Sequence, residues 1–253
     1  IITELDGIKR EYSVKRRTVI ENAEEAVYEE KKMEEAEVCF LMDRFGYMRL
    51  IDKNAYERNK EAAHAENKFI FTCMNTDKIC IFTDMGRMHS IKVADIPLVR
   101  FRDKGIPADN LSNYDSSQEQ ILYVAPVGQV KLSTLLFVTK TSMCKLVAGD
   151  EFDVSKRTIA STKLGEDDRL IFVGLADEME QVVFQSQGGY FLRILKTDIS
   201  AMKKTSVGVR GMKLGNGDVL EHAYMVEPRQ EYTIQYHDKP YSLNKVKLAK
   251  RDT

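Results

Sequence analysis

Tryptophan is absent from the 253 residues, cysteine and proline number only four and five, and the formal net charge is −1. Cys39, Cys73, Cys80 and Cys144 form no C-x-x-C pair, which argues against a zinc ribbon or a thioredoxin-like motif. Reduced thiols acting as small buried hydrophobes suit them, although Cys73 and Cys80 lie on neighbouring strand candidates where they could touch. The longest apolar runs, such as Leu135 to Val138 and Leu170 to Val173, fall far short of the roughly 20 residues of a membrane-spanning helix, so no span is expected. No basic region leads into an apolar stretch at the start, nor is there an initiator Met. The sequence therefore reads as a piece of a longer protein without a secretory signal.

Catalytic constellations are lacking too. G-x-S-x-G, G-x-x-x-x-G-K-[ST] and H-E-x-x-H do not occur, and His64, His89, His222 and His237 are far apart with no paired nucleophile. His89 reads as a strand residue. Gln187 to Gly189 is similar to a fragment of a phosphate loop, but it joins two strand candidates and is read as a hairpin turn. The near-zero charge does not by itself mark a nucleic-acid binder, so any such case rests on where the charges fall.

What is present is a repeat. Hydrophobic residues make up 43% and charged residues 30%, enough for a sizeable core. From residue 36 a β-rich unit recurs about every 45 to 52 residues. A short apolar strand opens it, at residues 68–73, 120–124, 169–173 and 219–224. A second strand (78–83, 135–139, 181–184, 232–236) runs into a polar or Gly-containing turn, and a third returns (88–92, 143–147, 190–194, 240–243). An earlier copy at 38–51 lacks the opening strand. That strand is supplied by the far end of the chain, closing a ring, or the first blade is incomplete. The period and the strand content predict an all-β, propeller-like radial array of about five blades.

Residues 1–35 differ. Glu4, Ile8, Arg10 and Tyr12 read as the end of an exposed helix, Lys15 to Ile20 as an extended exit from it, and Glu29 to Glu37 as a charged linker. Two parts are expected: a short helical connector at 1–35 and a β domain at 36–253. The connector holds ten acidic and seven basic side chains, which leaves the β domain at a net of only +2.

The positive charge concentrates in segments after the third strands. Residues 193–213 carry Arg193, Lys196, Lys203, Lys204, Arg210 and Lys213 against Asp198 alone. Residues 87–104 carry Arg87, Lys92, Arg100, Arg102 and Lys104 against Asp95 and Asp103. A weaker third copy has Lys140, Lys145, Lys156, Arg157 and Lys163. Equivalent loops of a radial array recur around its rim, so these residues are the candidate phosphate-contacting set of one curved basic track. Acids gather elsewhere, at Glu166 to Asp168 and at Asp177, Glu178 and Glu180, and would form the docking face if the array were a protein-interaction scaffold.

Four motifs carry a resemblance. D-R-F-G-Y-M-R-L-I at Asp43 to Ile51, T-D-M-G-R at Thr83 to Arg87, R-x-x-x-K-G-I-P at Arg100 to Pro107 and V-G-V-R-G-M-K-L-G-N-G-D at Val207 to Asp218 look like blade motifs. The blades they resemble are those of the C-terminal domain of bacterial gyrase and topoisomerase IV A subunits. The opening E-L-x-x-I-K-x-x-Y and R-R-T, at Glu4 to Tyr12 and Arg16 to Thr18, are similar to that family's helical exit from the cleavage core. The resemblance implies a β-pinwheel, a ring whose blades exchange strands, with double-stranded DNA bent along its outer rim. It implies a cytoplasmic, nucleoid-associated bacterial protein whose partners are the ATPase B subunit together with the rest of its own A subunit. The catalytic tyrosine and the ATP and Mg sites would lie in other parts of the enzyme, leaving this part without chemistry or cofactor. One departure stands out: the stretch after Tyr56, Glu57 to Ala65, has none of the glycines of the QRRGGRG box of gyrases. That points to topoisomerase IV-like relaxation and decatenation, with a divergent supercoiling gyrase as the alternative.

Overall fold

A computed structural model of the chain describes residues 1–15 and 34–252. Residues 1–34 and 35–253 form two compact units. In the first, helix α1 (Ile2–Tyr12) is exposed along its whole length. Glu4 in its first turn and Lys9 and Arg10 in its last complement the helix dipole. The expected extended exit and charged linker fall largely outside the described residues.

The second unit begins with β1 (Glu37–Asp43), β2 (Tyr47–Asp52), α2 (Lys53–Arg58), α3 (Lys60–Glu66), β3 (Asn67–Met74), β4 (Lys78–Thr83) and β5 (Arg87–Lys92). It continues through β6 (Ile106–Pro107), β7 (Ile121–Pro126), α4 (Val127–Lys131), β8 (Thr134–Thr139), β9 (Met143–Ala148) and β10 (Thr158–Ala160). The last part is β11 (Leu170–Leu175), β12 (Gln181–Ser186), β13 (Phe191–Leu195), β14 (Val209–Arg210), β15 (Leu220–Val226), β16 (Thr233–Tyr236) and β17 (Lys239–Ser242). Five sheets result, in the orders β3-β1-β2-β6, β10-β5-β4-β7, β11-β8-β9-β14, β13-β12-β15 and β16-β17. The fold is the expected all-β pinwheel, with one sheet for each of the five sequence units.

Each sheet grows from a hairpin. In the first four, the turn closes by a backbone bond from its fourth residue to its first, Gly46 to Asp43, Gly86 to Thr83, Ser142 to Thr139 and Gly189 to Ser186. That fourth residue has φ between +68° and +84°, a left-handed conformation that favours glycine, and Ser142 adopts it without being one. The outer partners of the first three hairpins come from further along the chain: β3 and β6 flank β1–β2, β7 and β10 flank β4–β5, and β11 and β14 flank β8–β9. The blades thus exchange strands. This corrects the expectation for the first copy, whose flanking strand β3 is supplied by the next unit and not by the far end of the chain. The sheet with fewest strands is the last.

The core lies in layers between consecutive sheets. Phe40, Ile79 and Ile81 pack between sheets 1 and 2; Phe82, Phe137 and Phe152 between sheets 2 and 3; Leu136, Val182 and Phe184 between sheets 3 and 4; and Val183, Val226 and Leu243 beyond sheet 4. Successive residues of one strand therefore serve opposite layers, which is why β4, β8 and β12 are buried almost throughout. Cys73 and Cys80 lie in different layers, between sheets 1 and 2 and sheets 2 and 3, and do not pack together. On the other face of sheet 1, Tyr56 and Ala63 of α2 and α3 cover Cys39, Leu41 and Ile51, and no sheet of the described residues packs there. Such capping is what a terminal repeat requires.

Candidate nucleic-acid interface

β3, β7, β11 and β15 pack on one another in succession, so they hold the axis side of the array. At the opposite end of sheets 1 to 3 stand the short strands β6, β10 and β14. The predicted cations collect around these outer strands. Arg100, Arg102 and Lys104 lead into β6, Arg157 leads into β10, and Lys203 and Lys204 lead into β14, which itself contains Arg210.

After each outer strand the chain folds back over the hairpin turn of the same sheet. Backbone bonds from Ala108 to Gly46, Ser161 to Gly86 and Gly211 to Ser142 fix this in all three sheets. Lys163 consequently follows the clamp on the Arg87 hairpin, and Lys213 the clamp on the hairpin that carries Lys140. β10 is three residues long, about 3.3 Å per residue, with Arg157 before it and Lys163 after it, whereas β6 has cations on its leading side alone and is followed by Asp109.

Fifteen predicted residues divide by what holds them. Lys92, Arg100, Arg102, Lys140, Arg157, Lys163 and Lys213 are exposed, and no carboxylate among the described residues pairs with their side chains. Lys104 is exposed and sits over the Tyr47 ring, 4.2 Å from its centroid. Arg87 is 3.5 Å from Glu119, Arg210 is 3.5 Å from Asp252, and Lys203 is 3.7 Å from Glu151. Lys204 Nζ donates to the Glu151 carbonyl at 2.6 Å, Lys196 Nζ to the carbonyls of Ala176 and Asp177, and half-buried Arg193 has a buried, unpartnered Nε.

Lys145 is a correction. It is only 1% exposed, and its Nζ donates to the carbonyls of Lys203, Lys204 and Ser206 at 3.2, 2.9 and 2.7 Å. Sheets 2 and 4 cover the two faces of its strand, so alternation along β9 does not report exposure. Burial pushes its pKa down to about 8. It shapes the loop of Lys203 and Lys204 from beneath and is not a contact for DNA.

Sequence reasoning also missed residues. The segment after β17 repeats the loop pattern, with exposed Lys245 and Lys247 and an Arg251 whose guanidinium donates to the carbonyls of Asp198 and Arg210. A parallel bridge from Arg193 to Leu248 matches those from Leu50 to Leu98 and from Leu146 to Ala201, so the repeat itself was the available signal. Arg44 and Phe45 crown the first hairpin, the guanidinium 4.8 Å from the ring centroid.

The acidic clusters are partly structural. Asp168 is buried and accepts from the Thr141 N–H and hydroxyl, and Asp177 accepts from the Thr134 N–H. His89 is buried in β5 between the Thr158 hydroxyl (3.1 Å) and Glu119 (3.3 Å). Among the described residues no helix is long and apolar enough to cross a membrane.

Comparison with known proteins agrees with this architecture. The family model of the DNA gyrase C-terminal domain, beta-propeller, matches residues 77–116, 133–177 and 180–227. The DNA gyrase A protein of Clostridium acetobutylicum is 27% identical over 220 residues, covering 82% of this chain and 26% of that protein. Its counterpart from Lawsonia intracellularis is 26% identical over 242 residues, 90% of this chain and 29% of that protein. The chain thus spans about a quarter of the length of the curated relatives it matches. In structure it is similar to the C-terminal domain of DNA topoisomerase IV (TM-score 0.76, 22% identity, 86% of this chain and 71% of the other). It is similar too to the E. coli ParC C-terminal domain (0.67, 15%, 85% and 91%) and to a DNA gyrase A C-terminal domain (0.57, 16%, 85% and 75%). With the family model matched across more than half of its length, on the segments that build sheets 2 to 4, the chain belongs to the family of DNA gyrase C-terminal beta-propeller domains.

Proposed function

We propose that this chain bends or wraps double-stranded DNA along the outer strands of its sheets and presents DNA segments to the cleavage core of a type IIA topoisomerase. The observation that carries the reading is the recurrence of exposed cations without a carboxylate partner among the described residues beside the outer strands: Arg100 and Arg102 before β6, Arg157 before and Lys163 after β10, and Lys213 after β14. Contacts of that kind go to phosphates and give affinity, salt dependence and curvature with little base readout. Residues 1–35 would be the connector to the core, and the protein partners would be the ATPase B subunit with the rest of the A subunit. The topoisomerase IV subtype, with relaxation and decatenation, is favoured over a supercoiling gyrase. Its support is the helical, glycine-free segment 53–66 and a β domain whose net charge is only +2.

The test is fluorescence-detected binding of the chain to a duplex of about 40 base pairs at two salt concentrations, with energy transfer between the duplex ends. Binding that weakens steeply with salt, together with shortened end-to-end distance, is expected. No binding at low salt would overturn the reading in favour of a protein-interaction scaffold.

A further inference from the structure

One register position of the second hairpin strand holds a base in each of the first three sheets: Arg49 opposite Leu41, His89 opposite Ile81 and Lys145 opposite Phe137. Arg49 and Lys145 each face the loop that leads to their own sheet's outer strand, and His89 faces Tyr114 and Glu119. His89 has both ring nitrogens partnered, and Lys145 has three carbonyls around its ammonium.

Arg49 breaks the pattern. The loops over Arg49 and Lys145 are both ten residues long, 96–105 and 199–208. They share the bond from Val99 or Met202 to the strand, and the turn from Asp103 to Arg100 or from Ser206 to Lys203. Both end on a glycine where an added Cβ would meet the strand backbone, 2.1 Å from the Met48 carbonyl at Gly105 and 2.8 Å from the Cys144 carbonyl at Gly208. Yet Arg49 reaches none of the carbonyls that its counterpart reaches. Arg49 is only 6% exposed, and its side chain forms no hydrogen bond or ion pair with a described residue; its Nε is buried without a partner, and its guanidinium carbon stands 5.9 Å from the Phe101 ring centroid.

Instead of a carbonyl cap there is a cavity of about 550 Å³, lined by Arg49, Arg102 and Lys104 together with Asn59. Its acids are Glu66, exposed and in no ion pair, and Asp103, whose Oδ2 already accepts from the Arg100 N–H at 3.0 Å. A buried cation without a partner is costly, and a guanidinium matches a phosphate through two parallel hydrogen bonds. We propose that this cavity is a phosphate-binding site that takes one backbone phosphate of a duplex lying along the outer strands, with Arg49 as the fixed ligand and Arg102 and Lys104 closing over it. The proposal rests on the DNA-binding reading above and adds to it a buried anchor in the first sheet.

The test uses the whole chain as wild type, Arg49→Met and the double variant Arg102→Gln with Lys104→Gln. Inorganic phosphate, exchanged against chloride at constant ionic strength, is followed by thermal unfolding. A duplex of about 40 base pairs is followed by its salt-dependent affinity. The expected result is saturable stabilisation of the wild type by phosphate, lost in Arg49→Met. Duplex binding by that variant is expected to be about tenfold weaker, with a salt slope lower by about 0.9. Phosphate stabilisation that survives in Arg49→Met overturns the site. Its loss with duplex binding unchanged overturns the DNA phosphate as occupant and leaves a free phosphate-bearing ligand. A wild type that responds to phosphate but binds no duplex overturns the DNA-binding reading while keeping the cavity as an anion site. Should Arg49→Met fail to fold, the double variant, whose residues are both exposed, carries both arms.

Discussion

A lysine ammonium has three N–H donors, and Lys145, buried with its ammonium 5.8 Å from the Phe137 ring centroid, directs all three at carbonyls of one loop. Removal from water lowers its pKa from 10.5 to about 8. Below pH 8 the folded and unfolded chains are both protonated here, and the full cost of burying the charge is present. Between pH 8 and 10.5 the unfolded chain keeps a proton that the folded chain has released, so this group makes stability rise with pH. Wild type should therefore gain about 1–3 kcal/mol relative to Lys145→Met between pH 7.5 and pH 10, read by denaturant unfolding. A constant difference across that range would exclude a depressed pKa. At this scale the sequence was least legible. Lys145 and Lys213 look alike in the chain, and only the burial of both faces of a stacked sheet separates the internal strut from the surface cation. Arg49 was passed over for the reverse reason, since it stands alone in the apolar stretch from Met48 to Ile51 rather than in a basic loop.

Elements were read more faithfully where a side chain or turn chemistry marks them. The hairpins announce themselves by Asp43 to Gly46 and Asp84 to Gly86, and the repeat counts the sheets correctly. What the repeat does not give is which hairpin a flanking strand joins: residues 68–73 precede β4 in sequence but pair with β1. The outer strands, two or three residues long, are too short to show any alternation, so strand exchange came only from resemblance. α2 and α3 were not anticipated, although Asp52 caps the first through the Asn54 N–H at 2.8 Å. The clamp between outer strand and hairpin turn is testable at Ser142. This residue holds φ +69° while its hydroxyl oxygen accepts from the buried Met212 N–H at 2.7 Å. Ser142→Ala keeps the backbone strain and orphans that N–H, at a cost of about 1–3 kcal/mol. Ser142→Gly orphans the same group but relieves about 1 kcal/mol of left-handed strain, so glycine should be the milder change in denaturant unfolding. Equal stability of the three proteins would show that the clamp does not depend on the hydroxyl.

For the molecule as a whole, a net charge of −1 conceals an arrangement in which cations gather at the outer strands. Overall charge is a poor guide here, because exposed charges act over about 10 Å at 0.1 M salt and a phosphate chain meets the array one loop at a time. The repeat made three of these loops visible in the sequence; the fourth, after β17 with Lys245, Lys247 and Arg251, was overlooked. If the loops act as successive phosphate contacts, Arg100→Glu, Arg157→Glu and Lys213→Glu, each at an exposed and unpaired side chain of a different loop, should weaken duplex binding by comparable factors. Each should also lower the salt slope by about 1, with effects that add in the triple variant and do not depend on base sequence. Lys9→Glu makes the same change in net charge on α1, in the other compact unit, and should leave the slope unaltered. If one loop carried the entire effect, DNA would touch a single patch. If Lys9→Glu matched the others, the attraction would be diffuse and the outer strands would not be its track.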